Sequence, residues 1–181
     1  MAAGPYLDPA PPLFLVDLLK ARFPEDALEV SEFRNEVTIV VPKERIVEIG
    51  RFLKEDARAA FDLLTLVTGV HYLDRPYDYE VIYHLYSLQK NHRLRIKTRL
   101  RQDETIPSVT PVWAGANWPE REAFDLVGIR FQGHPDLRRI LMPEDYPDHP
   151  LRKDFDVEGG PTSIDAPGSP ASPGFRDMES V

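Results

Sequence analysis

Cysteine is missing from all 181 residues of the chain. Disulfides, a CxxC redox pair, thiolate zinc sites and cysteine-bound iron–sulfur clusters are excluded with it. Long hydrophobic runs are missing too. The uncharged apolar stretch Leu63 to Leu73 has 11 residues, where a helix needs roughly 20 to cross a bilayer. No charged segment followed by an apolar one opens the sequence, so no secretory signal is read and a cytoplasmic, at most peripheral, location is expected. Positive charge is scarce: 22 Lys and Arg against 30 Asp and Glu leave a net charge of −8, which argues against nucleic acid or anionic lipid as the main partner. GxSxG, P-loop, HExxH and Rossmann glycine patterns are absent, so nucleophilic, phosphoryl and nicotinamide chemistry have no visible site.

What is present reads as one ordinary domain with extensions. Residues 1–12, with four prolines, read as a flexible lead. Leu13 to Phe23 places Leu15, Leu18 and Leu19 on one helical face. Leu28 to Phe33 and Val37 to Val41 form two strand-like runs around Arg34-Asn35-Glu36, a hairpin without the stronger Asn-Gly signal. Pro42 suits the first position of a helix that gathers Ile46, Ile49, Gly50, Leu53 and Ala57 on one side. Three strands follow, Leu63 to Leu73, Tyr79 to Leu88 and His92 to Arg101; the second is apolar on both faces and is placed centrally. The expected fold class is α+β: a two-layer α-β-β-α-β-β-β domain with a mixed sheet over residues 13–131, then a helix and an extended Pro-rich arm over 132–158. Residues 159–174 hold 11 Gly, Pro or Ser of 16 and read as tail.

The last of those strands alternates Arg93, Arg95, Lys97, Arg99 and Arg101 on one face with Leu94, Ile96 and Leu100 on the other. A solvated sheet face with acidic cross-strand partners explains this most simply; an acidic protein partner or RNA are the alternatives. His71, His84 and His92 lie in or beside strands and read as hydrogen-bonded sheet residues. Trp113 and Trp118 bracket Ala114-Gly115-Ala116 and read as anchors for the start of the next helix.

Function concentrates in Pro119 to Asp154. Of its 36 residues, 14 are charged and 12 apolar, too polar for a core element and too apolar for a solvated tail, so it reads as a docking surface. Asn117 with Glu120 has capping-box spacing, with Glu120 and Glu122 in the first turn. Ala123, Leu126 and Val127 form a stripe, and Gly128 stands where a left-handed C-cap belongs. A strand Ile129 to Phe131 follows. Prolines at 135, 143, 147 and 150 break longer elements, leaving room for one or two helical turns at Asp136 to Leu141. Few internal hydrogen bonds are expected to offset the roughly 1–2 kcal/mol per residue of ordering entropy, so the arm is expected to gain its order from a partner protein.

The run Glu120-Arg121-Glu122, Asp125-Leu126, Gly128-Ile129, Gly133-His134-Pro135-Asp136-Leu137-Arg138-Arg139-Ile140-Leu141 and His149-Pro150-Leu151-Arg152-Lys153-Asp154 resembles the C subunit of proton-translocating NADH:quinone oxidoreductase, respiratory complex I, from near Phe61 to Phe155. The resemblance implies the same architecture and a hydrophilic, cofactor-free member of the peripheral arm. In that family the protein packs chiefly on the D subunit beside the quinone cavity, with flavin and iron–sulfur clusters in partner subunits and membrane contact only through the complex. By carry-over, Glu120, Arg121, Glu122, Asp125, Gly128, Gly133 to Arg139 and His149 to Asp154 are structural and interfacial positions. Hydrogenase-type membrane complexes carry a similar protein. The sequence departs from the family pattern at His71, Phe124, Val127 and Asp148; glycine in place of Asp148 would permit positive φ.

A second class of function is a small metal-dependent hydrolase using His134, Asp136 and His149, since imidazole with carboxylate suits zinc, iron or manganese. Arg138, Arg139, Arg152 and Lys153 are interleaved with those residues and oppose a cation; Arg–carboxylate pairs explain the same residues without metal.

Overall fold

The structure, a computed structural model, describes residues 13–26 and 28–155; the lead at 1–12, residues 156–158 of the arm and the tail lie outside them. Helix α1 (Phe14–Arg22) buries Leu15, Val16 and Leu19. Strands β1 (Glu29–Phe33) and β2 (Glu36–Val40) pair antiparallel with Phe33 opposite Glu36. The two-residue connection has positive φ at both Arg34 and Asn35, as the mirror-image turn that matches strand twist requires. Pro42 does not begin α2 itself. It precedes a 3-10 turn at Lys43–Arg45 that runs into α2 (Ile46–Glu55). Ile46, Ile49, Gly50 and Leu53 are buried as expected, but Ala57 lies past the helix end and is exposed.

Strands β3 (Leu63–His71), β4 (Tyr79–Ser87) and β5 (His92–Leu100) form an antiparallel meander. The five-stranded order is β1-β2-β5-β4-β3, with β2 and β5 parallel. The sheet is therefore mixed, as expected; β4 is interior, though the middle position belongs to β5. Alternation sends Val37, Ile39, Val81, Tyr83, Leu85, Leu94 and Ile96 into the core.

The opposite face carries the cationic strand, and acids from its neighbours meet it. Lys97 Nζ lies 2.7 Å from Glu80 Oε2, Arg99 is gripped by both oxygens of Glu29 at 2.7 and 2.9 Å, and Arg95 pairs with Glu36. Arg93 instead lies over the Tyr86 ring, and Arg101 falls beyond the strand end.

A short strand that the sequence did not reveal, β6 (Thr105–Pro107), pairs parallel with β7 (Arg130–Gln132). Three residues ending in proline carry no readable alternation. Between these strands the chain buries Val109, Val112 and Trp113. The Trp113 indole donates to the Phe61 carbonyl at 3.0 Å, and the ring lies so close to Gly50 that a methyl there would meet it at 3.0 Å. Trp118 is not an anchor of this kind: it is 64% exposed.

Helix α3 (Asn117–Val127) packs beside β3 and ends on Gly128 at φ +88°, the left-handed C-cap its sequence called for. The capping box does not form. Asn117 is itself helical, the position before it is Ala116 with no side-chain cap, and Glu120 turns inward.

Candidate docking site: an arm strapped along one helix

Asp125 organises the arm. Its side chain is 0% exposed. One carboxylate oxygen, Oδ2, accepts the backbone N–H groups of Ile140, Leu141 and Met142 at 3.0, 2.7 and 3.0 Å. The other, Oδ1, accepts from Arg139 Nη1 at 2.9 Å. Burial alone would push this carboxyl up, and is the largest influence on it. The three N–H groups and Arg139 together outweigh burial and hold it below the usual carboxylate range. The same bonds explain why Asp136 to Leu141 is not helical: donors that a helix would use internally point at Asp125 instead.

Arg139 is a second clamp, donating to the carbonyls of Tyr146 at 2.7 Å and Asp148 at 3.2 Å. Asp148 makes the turn before His149 with negative φ, so it needs no glycine. Arg121, also on α3, donates to the carbonyls of Arg138 and Arg139 at 3.1 and 3.2 Å, and its guanidinium lies 4.7 Å over the Trp118 ring.

The arm also caps α3. The last carbonyls of a helix have no intrahelical partner. Here His149 Nδ1 donates to Asp125 O at 2.8 Å and Leu151 N donates to Leu126 O at 2.8 Å. Beyond this point Lys153 N donates to His71 Nδ1 at 2.9 Å, on the end of β3, while Arg152 and Asp154 pair with each other at 2.6 and 2.9 Å. Burial pushes the His149 imidazole below its ordinary range, consistent with the Nδ1–H tautomer that this bond requires.

At the other end, His134 Nε2 donates to Asn117 O at 3.1 Å and His134 Nδ1 accepts from Asp136 N at 3.0 Å. Gly133 turns the chain there with φ +77°. Pro135 is exposed and Pro150 half-buried; Leu137 packs on the core. Arg138 pairs with Asp136 at 3.0 Å in solvent, and Glu122 and the Lys153 side chain are exposed.

Two expectations need correcting. The arm does not lack internal hydrogen bonds. Asp125, Arg139, Arg121, His149 and His71 fix its backbone within the chain, so its order does not wait for a partner. Nor do His134, Asp136 and His149 converge as a hydrolase would need. The two imidazoles are tied to the carbonyls of Asn117 and Asp125, about 12 Å apart along a helix, and the His134 Nδ1 lone pair is occupied. Among the described residues no three His, Asp or Glu side chains are grouped to hold a metal ion.

Among the exposed side chains of the arm two are large and apolar: Leu141 is 64% and Leu151 58% exposed. His71, His84 and His92 are the hydrogen-bonded sheet residues expected; His92 Nε2 donates to Ala59 O at 2.8 Å and His84 accepts from Arg95. Sequence reasoning missed Ser108 and Val109 as partners of Glu120, and His71 as the landing point of the arm. One local sign of Asp125's role was legible: an acid in the last turn of a helix opposes the macrodipole unless something holds it there.

The chain is thus a two-layer α+β domain with an arm strapped along α3. The family model described as respiratory-chain NADH dehydrogenase, 30 Kd subunit, matches residues 39–161. The chain belongs to that family. It is 51% identical over 142 residues to the NADH-quinone oxidoreductase C subunit of Geotalea uraniireducens, an alignment covering 78% of this chain and 85% of that one. It is 54% identical over 120 residues to the C 2 subunit of Rhizobium meliloti, covering 66% and 65%. Among solved structures, a chain of the membrane-bound sulfane sulfur reductase, an archaeal respiratory membrane complex, superposes with a TM-score of 0.66 at 26% identity, covering 80% of this chain and 85% of that one. No helix among the described residues is long and apolar enough to cross a membrane.

Proposed function

We propose that the chain is the C subunit of an NADH:quinone oxidoreductase, peripheral on the cytoplasmic face of the membrane, and that it docks on the D subunit near the quinone cavity without carrying a cofactor. The observation that carries the docking role is the division of labour in the arm: its backbone and the guanidinium groups of Arg121 and Arg139 are satisfied within the chain, while Leu141 and Leu151 on the arm and Trp118 on α3 are left exposed. A fixed backbone presenting apolar side chains has already met much of its ordering entropy, which favours tight association. The absence of cysteine supports placing iron–sulfur clusters in partner subunits. Relatives named for NADH-quinone oxidoreductase, about half identical to this chain, favour that assembly over a hydrogenase-type one.

The test is co-purification from native membranes with the tagged chain, followed by mass spectrometry, in wild type and in a triple variant with Trp118, Leu141 and Leu151 changed to Ser. Wild type should bring down a relative of the D subunit and the variant should lose it. Wild type emerging alone, or equal recovery by the variant, would overturn the reading.

A further inference from the structure

Glu120 lies in the first turns of α3 and is 0% exposed. Among the described residues no Lys, Arg or His stands within salt-bridge distance of it; Arg121, the next residue, sends its guanidinium to the arm. A buried carboxylate without a cation is costly, and the protein's usual answer is to keep the group protonated. Its neighbours are hydroxyls. Oε1 accepts the Val109 N–H at 2.8 Å, and Oε2 lies 2.6 Å from Ser108 Oγ. Ser108 Oγ in turn lies 2.7 Å from Thr110 Oγ1, and the Thr110 N–H donates to Ser108 Oγ at 3.2 Å. Thr110 is half-exposed.

We propose that Glu120 is a proton-binding site connected to solvent through Ser108 and Thr110. With the acid protonated, its O–H donates to Ser108 Oγ, which donates to Thr110 Oγ1. With it ionised, both hydroxyls turn: Thr110 donates to Ser108 and Ser108 donates to the carboxylate. Ser108 uses one donor and two acceptor sites in each state, counting the fixed Thr110 N–H. No heavy atom has to move. The proton released appears on water beside Thr110, leaving the carboxylate behind.

The titratable group facing Glu120 from the sheet is Tyr83 on β4. Its hydroxyl is buried without a hydrogen-bond partner, and burial first, then the Glu120 charge, raises it well above its usual range. Tyr83 therefore stays protonated and supplies no competing charge. Burial pushes Glu120 itself up to about 7, outweighing the Ser108 and Val109 bonds, which pull the other way.

The test is infrared spectroscopy of the full chain across pH, following the protonated-carboxyl stretch, with Glu120→Gln to assign it and Ser108→Ala to test the route. A protonated-carboxyl band near neutral pH, lost with a midpoint around 7 and absent in Glu120→Gln, is expected. Its exchange with deuterium should slow by roughly tenfold or more in Ser108→Ala, where local opening of the loop becomes the remaining path. A carboxyl already ionised near the ordinary glutamate value of about 4.3, or one still protonated well into alkaline pH, would overturn the site. Unchanged exchange in Ser108→Ala would overturn the route.

Discussion

A methyl group at Gly128 would stand 2.7 Å from Cδ2 of His149. The glycine that closes α3 is thus required twice, once by its φ of +88° and once by the imidazole seated on it. Gly128→Ala should destabilise the fold by about 1–3 kcal/mol and dislodge His149 from the Asp125 carbonyl. Denaturant unfolding checks the first; faster amide exchange at Leu151, whose bond to Leu126 lies beside it, checks the second.

Asp125→Ala leaves Ile140, Leu141, Met142 and Arg139 without their shared acceptor. A loss of about 3–5 kcal/mol is expected for breaking a buried charged cluster of this kind. The arm should become a protease target near residues 140–150 before the sheet unfolds, read by limited digestion alongside circular dichroism. Because the folded carboxyl sits below its ordinary range, its stabilisation is present above the unfolded value of about 3.9 and is lost as pH falls through the folded one.

Glu120 has the opposite sign. Its folded value of about 7 exceeds the unfolded one, so its contribution is complete below about pH 4.3 and is lost as pH rises through 7. Over that window wild type should shed up to ~3 kcal/mol from this group. Glu120→Gln should show a flatter stability profile between pH 5 and about 8, measured by chemical denaturation at each pH; parallel profiles would refute the assignment.

Arg138 pairs with Asp136 in solvent and lies outside the Asp125 cluster. Arg138→Glu should change stability by less than about 1 kcal/mol yet lower incorporation into the membrane complex. Native gel electrophoresis of membranes, with melting of the isolated chain as control, separates the two effects.

Strand and helix order was legible because alternation in Val37 to Val41 and Arg93 to Leu100 and the stripe in α2 are local signals that burial enforces. The paired cations of β5 were legible for the same reason, since period two puts them opposite neighbouring strands. The arm was not. Its bonds run from Asp125 to residues 15–17 positions later, and no short-range pattern reports such partners. Glu120 misled because an acid three residues after Asn117 has the spacing of a cap; the core beneath α3 claimed the side chain instead.

The parallel seam between β2 and β5 has a kinetic consequence. Thr38 and Arg95 meet there although they stand 57 positions apart along the chain, whereas β3, β4 and β5 are joined by short turns. Closing long loops is slow, so the meander should gain protection first and the amino-terminal hairpin last. During synthesis that hairpin has no platform until the ribosome has passed Lys97. Pulse-labelled hydrogen exchange showing Thr38 to Val40 protected before Val81 to Leu85 would contradict this order.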